Sequence, residues 1–424
     1  MQLSNLNNVR SWAHILVLLA AWSALAGHAS EQPLTLRAAI ALTLEHNPDV
    51  QSAGFALRVQ EARTRQAGLR PGPTLEVDVE NLAGSGDFAG VDAAETTFAL
   101  AQIIELGGKR AARMTAAHFG RDVISIEQQA AQLDVLAEVT RRFIHVAADQ
   151  EQIVMTRTAT KLAQQTIGVV DMRVKAGKSP AAELSRARIA LARAQVDEEH
   201  AEHELLTSRR KLAAMWGAEK LQFGAISADF YTLPVPVTFA HLEHRLQASP
   251  DFLRFVSEAR LRDAEIRLAQ TQRTPDIKLS GGVRRLEGSD DHAVVIGFSM
   301  PLFTRDQAAP GIAEAQALRG RTEAQRRAAE NRANAQLFGL YQELLHAITE
   351  TELLRDNVLP EMEKILKETR HAYERGRYGY LEWVATQREF IDVRRSLIDA
   401  AAKAHSYHAE IERLTGEPFS VDNG

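Results

Sequence analysis

The sequence predicts a mainly α-helical protein with a small β part, built twice from one unit of helix, hairpin and very long helix. Three observations lead there. The second half repeats the first: Asn47-Pro48-Asp49 returns as Ser249-Pro250-Asp251 and Pro73 returns as Pro275, each 202 residues on. Gly177, Glu183 and Gly217 return as Gly376, Glu382 and Gly416, each 199 residues on, so the second copy has lost three residues in a tolerant loop. Long stretches lack proline and nearly lack glycine, and four short segments alternate apolar with polar side chains. A unit of this size exceeds the period of an ordinary solenoid repeat, and neither copy alone can bury its apolar face.

The bulk numbers agree. The chain has 424 residues, 45% hydrophobic, 25% charged and 6% aromatic, with a formal charge of −5. Ala, Leu, Glu, Arg and Gln dominate, a helix-rich composition. No basic stripe with interleaved aromatics is present, which argues against nucleic acid as a partner. There is no cysteine, so disulfides, thiolate metal sites and lipidation at a cysteine are excluded.

Residues 1–29 read as a cleaved signal peptide. Arg10 supplies a positive start, Ile15 to Leu25 an apolar run, and Gly27-His28-Ala29 or Ala24-Leu25-Ala26 the small residues before cleavage. The first repeat is expected over 30–217. It opens with helical periodicity over 34–69, stopped by Pro71-Gly72-Pro73. Strand 1 follows at about 74–83, where Leu75, Val77 and Val79 alternate with Glu76, Asp78 and Glu80. A glycine-rich loop leads to strand 2 at about 95–104. From Lys109 to Val174 there is no proline and only Gly120 and Gly168. A helix of that length spans about 100 Å. Gly177 and Pro180 mark a turn, and a helix from Ala181 to Trp216 ends at Gly217.

Residues 218–237 form a linker carrying Pro234 and Pro236, and the second repeat is expected over 238–416. A helix covers roughly 238–272. Strands 3 and 4 fall at about 276–286 and 292–302. Helix resumes near Gly311, Pro360 should kink or break it, and Gly376 and Gly379 mark the turn before a helix from Tyr380 to Thr415. Residues 417–424 are left as a tail.

Beyond residue 29 no stretch of 18 apolar residues exists, so any membrane segment must be made of strands. About ten alternating residues is the transmembrane β-strand signature. Four such strands cannot close a barrel, because bare edges would leave backbone groups unsatisfied in lipid. Closure takes two copies with eight strands or three with twelve.

The chain resembles the TolC-like outer-membrane efflux proteins over essentially its whole mature length. The marks are Asn47-Pro48 and Ser249-Pro250, Pro73 and Pro275 opening a strand, and Ser299-Met-Pro-Leu-Phe303 ending strand 4. The paired turns Gly177-Lys-Ser-Pro-Ala-Ala-Glu183 and Gly376-Arg-Tyr-Gly-Tyr-Leu-Glu382 complete the set. Gln102-Ile-Ile-Glu-Leu-Gly-Gly-Lys-Arg-Ala-Ala-Arg113 resembles the heavy-metal branch, of cobalt–zinc–cadmium or copper–silver type. The resemblance implies a homotrimer in the outer membrane of a Gram-negative bacterium, with a twelve-stranded barrel continued by a periplasmic helical tunnel. It implies docking, through the turns at Gly177 and Gly376, with a periplasmic adaptor and a proton-driven inner-membrane pump. The expected function is passive conduction of exported substrate, divalent or heavy-metal cations, with no catalysis and no cofactor. The competing reading is a periplasmic coiled-coil adaptor, which usually carries one helical hairpin between compact β domains.

Candidate functional residues follow from the same resemblance. Glu183 and Glu382 match the acids at the narrow periplasmic end, where a ring of carboxylates would favour cations. The other reading of each is a residue facing the N-terminal dipole of its own helix. Tyr373 matches an aromatic that holds the gate closed. A second family acid is absent, with Ala385 there and Arg186 in the first copy. Arg377 and Tyr378 stand one position off the gating basic residue. Glu76, Asp78 and Glu80, on the polar face of strand 1, would line the lumen of a membrane barrel; the other reading is the solvated outer face of a soluble hairpin. His200/His203, His241/His244 and His405/His408 have i, i+3 spacing that can hold a metal, but charged helices usually carry such pairs in solvent. Gly107-Gly-Lys-Arg110 and Gly177-Lys-Ser179 lack phosphate-loop spacing, and no catalytic triad or HExxH run is present.

Overall fold

Asn47 and Ser249 each stop one helix and start the next. Both precede proline, which drives them to extended backbone, and both show it, at ψ 126° and 153°. Pro48 and Pro250 then occupy the first helical position, where the missing N–H costs nothing. The expected single helix over 34–69 is therefore two, α1 (Leu36–His46) and α2 (Pro48–Ala67). The one over 238–272 is α5 (Phe239–Ala248) and α6 (Pro250–Thr271). Asn47 Oδ1 accepts from Asp49 N–H at 2.9 Å and Val50 N–H at 3.2 Å, while its amide donates to the Met215 carbonyl at 2.8 Å. Ser249 Oγ is buried and finds no partner. The computed structural model describes residues 33–221 and 223–416. The expected signal peptide and the C-terminal tail lie outside the described residues.

The four strands form one antiparallel sheet in chain order: β1 (Thr74–Glu80), β2 (Glu95–Ile104), β3 (Ile277–Leu286) and β4 (Asp291–Ser299). Register places Glu76 opposite Ala99 and Ala99 opposite Gly282. One face therefore carries Glu76, Asp78, Glu80, Glu95, Thr97, Lys278, Ser280 and Arg284. The other carries Leu75, Val77, Val79, Phe98, Leu100, Leu279, Val283, Val294, Ile296 and Phe298, all exposed. β1 stops at Glu80 because Asn81 turns left-handed (φ 53°), and β4 stops at Ser299, short of Pro301, which has no ladder donor. Among the described residues β1 and β4 have no strand on their outer edges.

Gly108, at φ 74°, opens α3 (Lys109–Lys175), 67 residues without interruption and about 100 Å long. α4 (Ala181–Ala213) returns along it. α7 (Thr304–Leu353) begins seven residues before Gly311, against expectation, and runs through Pro310. Phe303 turns left-handed (φ 62°) and Thr304 Oγ1 donates to the Arg273 carbonyl at 2.8 Å, so the helix starts where the strand ends; Pro310 removes one backbone bond only. Pro360 does not end the helical path. A π-turn over Leu354–Val358 widens the coil just ahead of it, and α8 (Leu359–Glu374) continues with the proline in its first turn. α9 (Tyr380–Thr415) closes the chain, packing on α3, α7 and α8.

Burial is divided into clusters strung along this length. The linker after α4 lays Phe223, Ile226 and Phe230 against Val139, Phe143, Val146 and Met155 of α3. Leu34 fastens the start of the chain to it by donating to Ala225 O and accepting from Ser227 N–H, both at 3.0 Å. Leu242 and Leu246 of α5 pack with Leu337, Leu344 and Ile411. At the far end Val169, Val170, Ala187, Tyr373, Tyr380 and Trp383 form a third cluster, where both helical turns meet.

Candidate gate and barrel lumen

Gly177 (φ 68°) and Gly376 (φ 75°) turn the chain between α3 and α4 and between α8 and α9, a conformation that suits glycine. The two tips lie together. Tyr373, the third-last residue before Gly376, is 1% exposed. Its ring stacks on Trp383 at 4.9 Å between centroids and meets Tyr380 edge-on at 6.4 Å. Its hydroxyl donates to Glu183 Oε2 at 2.9 Å and lies 3.5 Å from Ser179 Oγ. Burial pushes the Tyr373 phenol above its ordinary value, and the Glu183 carboxylate adds to the rise. The phenol therefore stays the donor at neutral pH.

Glu183 and Glu382 hold equivalent repeat positions but differ in setting. Glu183 is half-buried and tied to the other hairpin through Tyr373. Glu382 is exposed, and its Oε2 accepts the Gly379 N–H at 2.8 Å, capping its own helix. That is the helix-dipole reading for Glu382. Arg186, Arg377, Tyr378 and Ala385 are exposed, and Arg377 and Tyr378 bond through their backbone N–H groups to the Ala372 carbonyl at 2.8 and 3.4 Å.

Sequence reasoning missed Arg173 on α3. Its Nη1 donates to the carbonyls of Tyr373 at 2.6 Å and Glu374 at 3.2 Å. Its Nε donates to Ser179 Oγ at 3.1 Å, its Nη2 to the Lys178 carbonyl at 3.3 Å, and its guanidinium lies 4.7 Å from the Tyr373 ring centroid. The one available signal was its place four residues before Gly177.

On the sheet, charge cancels across strands. Glu76 pairs with Lys278, and Glu80 with Arg284 at 2.7 Å. Arg284 also meets Glu95 at 2.7 Å and donates to Thr97 Oγ1 at 2.9 Å. Of the three acids singled out on β1, Asp78 alone has no ion pair. Below the sheet Lys109 Nζ reaches Asp276 Oδ1 at 2.8 Å, and the same oxygen accepts Leu106 N–H at 3.1 Å. Beside them Arg113 grips Glu105 through Nη1 and Nη2, and that hydrogen bonding is the main cause holding the Glu105 carboxyl below its ordinary value.

The histidine pairs do not converge. His200, His203, His241 and His244 are exposed. His405 is half-buried with Nε2 at 3.0 Å from the Phe230 carbonyl, and loss of solvent lowers its pKa. His408 faces Glu412 at 3.6 Å. Among the described residues no three His, Asp or Glu side chains gather into a metal site.

Known proteins carry the same organisation. The model of the family described as outer membrane efflux protein matches residues 39–218 and 242–417, one segment in each half. The chain is 27% identical over 387 residues to the cobalt-zinc-cadmium resistance protein CzcC of Cupriavidus metallidurans, covering 91% of this chain and 90% of that one. It is 23% identical over 309 residues to the nickel-cobalt-cadmium resistance protein NccC of Alcaligenes xylosoxydans xylosoxydans, covering 71% and 69%. Among solved structures, CusC superposes with a TM-score of 0.71 at 18% identity over 91% of this chain and 92% of that one. The outer-membrane channel OprN gives 0.75 at 15% identity over 90% of each. Sequence pattern, duplicated architecture and the family match over both halves converge: the chain belongs to the outer membrane efflux protein family, in its TolC-like heavy-metal branch, and is placed in the outer membrane of a Gram-negative bacterium.

Proposed function

We propose that three copies of this chain close a twelve-stranded barrel in the outer membrane, continue it as a helical tunnel through the periplasm, and conduct cations passively to the outside. The carrying observation is the open sheet. It has two bare edges and an exposed face dominated by apolar side chains, from Leu75 and Val77 through Phe98 and Val283 to Val294, Ile296 and Phe298, at the end of a helix about 100 Å long. In lipid each edge must pair, and further copies supply the missing strands. In water such a face would aggregate. The relatives named for resistance to cobalt, zinc, cadmium and nickel support divalent metal ions as the cargo. A periplasmic adaptor meets the tips at Gly177 and Gly376, and an inner-membrane proton-driven pump supplies the substrate. The adaptor reading of the chain itself has no observation in its favour.

The test is extraction and reconstitution. The chain is expected in the outer-membrane fraction, soluble only with detergent, as a heat-modifiable trimer forming pores in planar bilayers. A water-soluble monomer ends the proposal. Within the pore, Glu183, Glu382 and Tyr373 form the periplasmic gate, with the carboxylates setting cation preference. Glu183→Gln with Glu382→Gln is expected to lower the cation-to-anion permeability ratio about threefold, the order expected when charges leave a narrow constriction. An unchanged ratio removes the gate assignment. Glu76, Asp78 and Glu80 face the barrel lumen, where Lys278 and Arg284 neutralise two of them. Asp78→Asn should therefore shift the reversal potential toward zero. Glu76→Gln should move it in the same direction and further, because it also leaves the Lys278 ammonium unpaired in the lumen.

A further inference from the structure

We infer that Arg173 is the latch of the periplasmic gate, a positioning residue that locks the two helical tips of one subunit into a single body. The inference rests on the proposed gate at the tips and adds the group that holds it.

The geometry is one guanidinium serving two hairpins. From the last turns of α3 it bonds across to the carbonyls of Tyr373 and Glu374, at the C-terminal end of α8. It also bonds back to the Lys178 carbonyl and the Ser179 hydroxyl of its own turn. Five fixed donors in a plane allow this; a Lys ammonium has one point of attachment. Among the described residues no carboxylate forms an ion pair with Arg173. Its partners are neutral oxygens, the negative end of the α8 dipole and the face of Tyr373. Gly376 lies beside the guanidinium: a Cβ there would make ordinary contact with Nη2, at 3.7 Å.

Arg173 also orients the Tyr373–Glu183 contact. It grips the main chain of Tyr373 and covers its ring, while Ser179, held by Nε, stands 3.5 Å from the Tyr373 hydroxyl. With the ring fixed, the hydroxyl points at Glu183. An opening motion that slides one hairpin past the other must break the guanidinium contacts first. Tyr373→Phe removes the hydroxyl bond and leaves the carbonyl bonds, so the two contributions separate.

The experiment uses detergent-purified full-length trimers in planar bilayers. Arg173→Met is expected to raise the ratio of open to closed pores about tenfold, consistent with loss of charge-assisted bonds. Arg173→Lys should also open the pore, because one ammonium does not span both turns, and Tyr373→Phe should open it less. The thermal midpoint of the trimer is read alongside: a merely structural residue would lower the midpoint and leave the open fraction unchanged. Glu382→Cys, modified by a negatively charged thiol reagent, reports separately on whether the tips lie in the conduction path. If the reagent alters current through Glu382→Cys pores while Arg173→Met and Arg173→Lys keep the wild-type open fraction, the latch is wrong and the gate stands. If the reagent has no effect, the gate reading falls and the latch with it.

Discussion

Gly282→Ala is expected to abolish the heat-stable trimer, while Gly281→Ala, its neighbour, assembles normally. A Cβ at 282 would lie 2.2 Å from the Phe98 carbonyl oxygen and 2.7 Å from Ala99 Cα, both backbone atoms of the paired strand. Neither can move without breaking the β2–β3 ladder. At 281 nothing lies within 4 Å, because that position is on the open apolar face opposite Leu100. Side chains crowd on the polar face, where Ala99, Ala101 and Gly297 are also small, and a Cβ at 297 would meet Ser280 Oγ at 2.3 Å. Glycine inside a strand suits such a close approach. The measurement is the trimer band in mild detergent with and without heating. Normal assembly of Gly282→Ala would show that β2 and β3 approach less closely there than described.

Lys109→Met should destabilise the chain by about 3 kcal/mol, at the low end for a broken buried ion pair because Asp276 keeps some solvent. Lys109 is 6% exposed and its ammonium meets Asp276 at 2.8 Å. The lysine side chain is replaced by one of similar length, so packing survives and the uncompensated carboxylate carries the loss. Adding Asp276→Asn should recover most of it, since the amide oxygen still accepts the Leu106 N–H that Asp276 accepts at 3.1 Å. Thermal unfolding of wild type, both single variants and the double variant gives the coupling directly. A double variant as unstable as Lys109→Met alone would mean that the lysine acts by packing rather than by charge.

Local chemistry was legible in the sequence. The alternation of Leu75, Val77 and Val79 with Glu76, Asp78 and Glu80 is a property of neighbours, and β1 carries it. Gly177 and Gly376 announce turns because few other residues adopt their backbone. What escaped is what depends on distant partners. A proline inside a helical pattern reads as a break, yet the π-turn over Leu354–Val358 carries the path past Pro360. Arg355 in that turn donates to the Tyr231 carbonyl at 3.0 Å, a tertiary contact no window of residues displays. Glu183 and Glu382 looked alike by position. They differ because Tyr373 reaches one of them and a backbone N–H claims the other. The acids of β1 read as a run of like charge, and only the sheet order shows which of them meets a base.

The ion pair between Glu76 and Lys278 joins the same position of the two repeats, 202 residues apart. At the tips the division recurs: the first half supplies Arg173 and Glu183, the second the ring of Tyr373, with Ala372 and Val174 at the reciprocal places. Gene fission makes the consequence plain. Two separate half-length polypeptides would have to alternate as a heteromer, since a ring of either half by itself would set carboxylate against carboxylate or ammonium against ammonium. A homomeric ring of either half is closed to this sequence, and the covalent join guarantees the one-to-one stoichiometry that its two different halves demand.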